Sequence, residues 1–193
     1  KIRERGIGLS QKKIDEFMES LKLDQPVSIE EFKAAVKEAY KDRTRQIYFI
    51  WKKLKELYPE VDANRVIAEG SWEFGLYQGK KIAEKYGAEN VGPTEALLGQ
   101  TSKGGVLVFE QVIEKLGDEE AIKLFNACPH MEALEELGAS PEERKSFCRD
   151  MLGKCDYAIC APFPNVEIDF PTTIGDGEGE PCAMTITRVK DKK

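Results

Sequence analysis

The chain has 193 residues, 41% of them hydrophobic and 33% charged, a balance that supports a buried core and excludes a disordered polyelectrolyte. Its 29 basic and 35 acidic residues leave a net charge of −6, which argues against nucleic acid as the main partner, because phosphate binding needs a concentrated positive surface. No run approaches the roughly 18 apolar residues that span a bilayer, and Lys1–Arg5 is no secretory signal, so no membrane partner is expected. The five cysteines are odd in number, in a chain large enough not to need stapling. Reduced thiols in a cytoplasm follow from that count.

From Ser10 to Leu21, Ile14, Phe17, Met18 and Leu21 recur at helical steps, and Asp24-Gln25-Pro26 stops the pattern. Ser28 with Glu31 forms a capping box, which opens a helix running to about Tyr58 before Pro59. Its expected buried stripe is Phe32, Val36, Tyr40, Ile47, Ile50, Leu54 and Leu57. About 30 residues at 1.5 Å each make roughly 45 Å, so this helix either bends or offers residues 28–58 to a second copy or a partner protein. Asp62 caps a third helix that reaches Tyr86 and stops at Gly87. Gly70, Gly75 and Gly79 inside it point to close helix packing ahead of room for a ligand, with Trp72, Phe74 and Tyr77 as prospective pocket walls. A fourth helical segment is expected from Thr94 to about Leu116, interrupted near Gly104-Gly105. Residues 99–104 are not a phosphate loop, because the Gly-Lys-Ser/Thr ending is missing.

After Gly117-Asp118 the pattern changes. Residues 120–128 read as a strand with Ile122, Leu124, Asn126 and Cys128 on one face. Pro129 opens a helix that ends at Gly138, and Ser140 caps another that carries Phe147 and Met151 inward and breaks between Gly153 and Pro162. Two final strands, about 165–172 and 181–189, face Val166, Ile168, Phe170, Cys182, Met184 and Ile186 inward and are joined by a solvated loop, Gly175–Glu180. Helices and strands are segregated, which predicts an α+β fold: a helical N-terminal two thirds packed with a small antiparallel sheet of C-terminal strands. Residues 1–60 are expected as a helical extension and 61–193 as the α+β domain.

Chemistry concentrates on the thiols. Cys128 stands where a strand gives way to a helix, and free backbone amides with the helix dipole favour a thiolate there. His130, the only histidine, is the prospective acid/base beside it. Cys182 shares the inward face of the last strand with Met184, a further pocket residue, and is the expected partner across the site. Cys148, Cys155 and Cys160 are the alternative: thiolate ligands for zinc or an iron–sulfur cluster, with Glu132, Asp150 or Asp156 as a source of an oxygen ligand. Their spacing matches neither site type closely.

Cys128-Pro129, the Glu- and Leu-bearing helix behind it, Phe147-Cys148, the strand around Val166–Phe170 and the glycine/acid turn into Cys182, Met184 and Ile186 together form a pattern. Over residues 119–189 it resembles the L-2-amino-thiazoline-4-carboxylic acid hydrolase family. That resemblance implies a cysteine-centred hydrolase opening a C–N bond of a small cyclic amidine acid. A more distant similarity to vinyl-4-reductase-like sensing domains implies a ligand-binding module whose cysteines and an acid hold zinc near a pocket. A helical assembly subunit is the third expectation.

Overall fold

The computed structural model describes residues 26–177 and 179–189, together with Lys12, Asp15, Glu16 and Glu19. The first helix of the sequence reading lies outside the described residues apart from those four positions, and the tail Lys190–Lys193 lies outside them entirely. Chain contacts divide the protein into two units, Lys1–Phe32 and Lys33–Lys193. In the first, the Ser28–Glu31 capping box forms: Glu31 N donates to Ser28 Oγ at 3.1 Å, and Ser28 N to Glu31 Oε2 at 2.9 Å.

The second unit holds the α+β fold. Helix α1 (Ile29–Leu57) is followed by α2 (Ala63–Tyr86), α3 (Pro93–Gly99) and α4 (Lys103–Val108), then by strands β1 (Gln111–Lys115) and β2 (Glu120–Phe125). Next come α5 (Pro129–Glu136), α6 (Pro141–Ser146), a π-helical turn (Phe147–Leu152) and α7 (Lys154–Cys160). Strands β3 (Val166–Asp169) and β4 (Cys182–Arg188), with a 3₁₀ turn between them at Ile174–Asp176, complete the sheet. The strand order is β1-β2-β4-β3, antiparallel throughout. Most of α1, assigned from sequence to an extension of residues 1–60, supplies core to this unit through Tyr48 and Trp51.

Several expected elements shift. Residues 111–115 are a strand, not the end of a fourth helix. Glu110, at φ 48°, turns the chain back after Phe109, and Gln111-Val112-Ile113 then pairs with β2. β2 ends at Phe125 and buries Ala121 and Lys123, so its inward face is the opposite of the expected Ile122–Leu124–Asn126–Cys128 set. On a strand, one residue of slip reverses every side chain. On α1 the buried set is Lys41, Thr44, Tyr48 and Trp51, while Phe32, Ile50 and Leu57 of the expected stripe are exposed. The two bulky aromatics one position over capture the core, and they carry Thr44 and Lys41 with them at helical spacing. Lys41 is held there by Glu136.

Two core clusters result. One lies at the sheet, where Leu97, Phe163, Val166, Met184 and Ile186 are buried with Ile82 and Ile159. The other joins Tyr48 and Trp51 to Met131, Leu134, Phe147 and Met151. Helices α2 and α7 pack closely because Gly75 and Gly79 leave no side chain in the way. A Cβ on Gly75 would sit 2.2 Å from the Cys155 carbonyl oxygen, and one on Gly79 2.4 Å from that of Ile159. Gly75→Ala is therefore expected to force the helices apart and cost about 3 kcal/mol of stability, read from urea unfolding. Gly70→Ala, with open space at its Cβ position, serves as the control. An equal loss in both variants would refute the packing role.

Candidate functional site

A cavity of about 720 Å³ draws its walls from both clusters: from α1, α2, β2, β4, the π turn and α7. That volume suits a small organic ligand. Cys128, Cys148, Cys155 and Cys182 all line it, as do His130 and Met184. Cys128 stands at the N-cap of α5, as read from sequence, where the backbone amides of Met131 and His130 favour the thiolate without a side-chain capping hydrogen bond. Yet burial pushes the Cys128 thiol far up, and the neighbouring Cys182 and Cys148 sulfurs push it further. Desolvation outweighs the pull of the two nearby amides, so the expected thiolate is a neutral thiol near pH 7. Burial likewise raises Cys182 and Cys155 to about 12.

The loop expected in solvent is exposed at Gly177, Gly179 and Glu180, but its first residues, Gly175 and Asp176, turn inward beside the cavity wall at Thr173. Thr173 N and Oγ1 donate to Asp176 Oδ2 at 3.1 and 2.9 Å, and Arg149, from the π turn, clamps both Asp176 oxygens. This clamp fixes the turn over two sulfurs. Ile174 N donates to Cys182 Sγ at 3.1 Å, while the Thr173 hydroxyl and the Gly175 amide engage Cys148. A Cβ on Gly175 would lie 2.3 Å from Cys148 Cβ, which explains a glycine there. The π turn itself needs Gly153. Its amide reaches back five residues to the Cys148 carbonyl at 3.0 Å, and a Cβ there would meet that oxygen at 2.2 Å. Such wide turns recur where a helix must re-aim side chains at a site.

The hydrogen bonds of the His130 ring go to α1 and not to Cys128. The Thr44 hydroxyl spends its hydrogen on the Tyr40 carbonyl at 3.1 Å, so at 2.6 Å from His130 Nδ1 it must accept, and Nδ1 carries the ring proton. Nε2 then accepts from Arg43 Nη2 at 3.3 Å. Burial and the adjacent Arg43 charge lower His130 to about 3, which agrees with this neutral tautomer. Both ring nitrogens are committed to α1, and what His130 positions is the Arg43 guanidinium. Arg43 lies over the Tyr40 ring and makes no ion pair among the described residues.

Of the strongest polar features of the cavity, only Asp156 is named from the sequence, and that as a prospective metal ligand. Lys123, 1% exposed at the centre of β2, donates to Thr101 Oγ1 at 3.2 Å and lies over the Phe125 ring. Desolvation lowers it to about 8, against the opposing pull of Asp156 and Cys160. Burial raises Asp156 to about 6, with Lys123 and Arg43 opposing. Gln100 Oε1 and Gln111 Oε1 are buried without a hydrogen-bond partner among the described residues. An orphaned buried acceptor costs about 1–3 kcal/mol unless a donor is supplied. A lysine inside an alternating strand is the signal that would have exposed this set, but Ile122 and Leu124 gave the opposite face the more apolar appearance.

Two of the expected pocket walls lie elsewhere. Tyr77 is 57% exposed, and Trp72 borders a separate small hollow with Cys160. The cavity-facing side of α2 is Ile67, Gly70, Ser71, Phe74 and Gln78, at helical spacing. The proposed metal set is dispersed: Cys148 joins Cys128 and Cys182, Cys155 accepts from Gln78 at 3.9 Å, and Cys160 from Gln100 at 3.3 Å. Glu132 pairs outward with Lys37. Among the described residues, no three His, Cys, Asp or Glu side chains converge as metal donors, so the arrangement does not fit zinc or an iron–sulfur cluster. Among the same residues, no helix is long and apolar enough to cross a membrane. No protein-family model matches the chain, and no curated protein matches it significantly.

Proposed function

We propose that this chain binds a small cyclic amidine acid in the cavity and opens one of its C–N bonds with water. The observation that carries the reading is the pairing of a desolvated carboxyl, Asp156, with a desolvated amine, Lys123, in one cavity of ligand size. Groups with opposed shifts in a shared pocket are the usual setting for acid–base work. The resemblance of residues 119–189 leads to the same substrate class.

In this mechanism Asp156 takes a proton from water as the oxygen bonds to the amidine carbon. The hydroxyl so formed gives up its proton as the carbonyl forms and the ring C–N bond breaks, and the departing nitrogen takes that proton together with the one returned by Asp156, leaving a primary amine. Water is consumed and no redox partner is needed. Cys128, Cys148 and Cys182 act as neutral thiols that wall the pocket and exclude water.

The test is incubation with 2-amino-thiazoline-4-carboxylate, following the gain of one water by mass and the appearance of a new primary amine. The expected result is catalytic turnover by the wild-type protein, retained within a few-fold by Cys128→Ala. Absence of ring opening sinks the reaction. Loss of turnover in folded Cys128→Ala transfers the attack to the thiol and sinks the water mechanism.

A further inference from the structure

Lysine is almost never fully buried without an anionic partner. Lys123 is buried nevertheless, with only a neutral hydroxyl, Thr101 Oγ1, as its hydrogen-bond acceptor and no ion pair among the described residues. The ionisable groups acting on it are Asp156 and Cys160, both from α7. Its other neighbours, Thr101 and Phe125, and its cross-strand partner Met184 are uncharged. Nearby in the same cavity wall stand the unpartnered oxygens of Gln100 and Gln111. A cation with no anion in contact and two acceptors without donors among the described residues together form an unfilled polar surface.

We infer that Lys123 is the carboxylate-binding residue of the cavity, and that the ligand places its acid group there with N–H donors turned toward Gln100 and Gln111. This rests on the cavity being a ligand site, as above, and not on the reaction. Arg43 is the competing anchor, but it is exposed and already engaged by His130. A carboxylate gains most from the charge that water no longer screens, which is Lys123. The ligand class is therefore a compact carboxylate with adjacent N–H groups: an amino, ureido or amidine acid.

The probe is thiazole-4-carboxylate, which has no amidine to open, compared with its neutral carboxamide by titration calorimetry on the full chain. The acid is expected to bind at least tenfold more tightly than the amide, and Lys123→Met to abolish the difference. Affinity for the acid falls as pH rises through about 8, because the free lysine, held low by desolvation, loses its charge there. Lys123→Met, free of the buried charge, melts no lower than wild type, so lost binding is not lost folding. Equal binding of acid and amide, acid binding unchanged in Lys123→Met, or no acid binding at millimolar concentration overturns the assignment. If the thiazole acid binds through Lys123 but the amidine acid is not opened, the hydrolytic reading falls and this subsite stands. If Lys123→Met opens the amidine acid with a wild-type KM, the subsite falls and the hydrolysis stands.

Discussion

Asp156→Asn should lower kcat/KM for ring opening by about 10²- to 10⁴-fold, the range associated with removing a positioned general base. The substitution keeps the shape of the side chain and removes only its ability to take a proton. It should also leave the fold intact, because the Asp156 carboxyl makes no hydrogen bond or ion pair among the described residues. Its pKa follows from burial, offset by the charges of Lys123 and Arg43. The wild-type profile should then be bell-shaped. Above about pH 6 Asp156 is ionised and able to accept a proton, which sets the rising limb. Above about pH 8 Lys123 loses its charge and its hold on the substrate acid, which sets the falling limb. In kcat the falling limb should move to higher pH, since a bound carboxylate stabilises the ammonium form. A flat profile from pH 5 to 9, or an Asp156→Asn variant within tenfold of wild type, removes Asp156 from the mechanism.

Asp156 stood in the sequence only as one of three prospective oxygen ligands for a metal, and its neighbour Lys123 not at all, for a physical reason. Helix ends and caps are local chemistry, so Ser28–Glu31, Asp62, Gly87 and Ser140–Glu143 stand where their residue types predict. The inward face of β4 was also legible, because Cys182, Met184 and Ile186 face only Ala183 and two threonines on the other side. Where both faces carry apolar residues, alternation does not decide. Ile122 and Leu124 competed with Ala121 and Phe125, and only pairing with β4 and coverage by α3 determine which side is core. The convergence of Cys128, Cys148 and Cys182 depends on the π turn and on the Arg149–Asp176 clamp, a contact 27 residues apart. The thiol positions were thus readable, while their protonation was not: a helix N-terminus is written in sequence, but the desolvation that overrides it belongs to the assembled cavity.

The clamp in turn depends on Phe147, and Phe147→Ala should cost about 4 kcal/mol, within the usual range for truncating a buried aromatic. The ring is fully buried, edge-on to Trp51 at 5.1 Å between centroids and tilted against Tyr48 at 5.6 Å. Its loss leaves a cavity in the helical cluster and removes two aromatic contacts, each worth about 0.5–1.5 kcal/mol beyond area burial. Against a total stability of about 5–15 kcal/mol, such a loss moves the urea midpoint far enough to measure easily. Phe147 also begins the π turn that aims Cys148 and Arg149. A second consequence is therefore expected at concentrations of urea well below unfolding. Cys148 and Cys182, protected in wild type by the Thr173–Asp176 turn, should react faster with a thiol reagent once that turn loses its base. Phe147→Leu, which refills most of the volume, should recover the larger part of both effects. If Phe147→Ala costs less than about 1 kcal/mol, the helical cluster is not what holds the thiol wall in place.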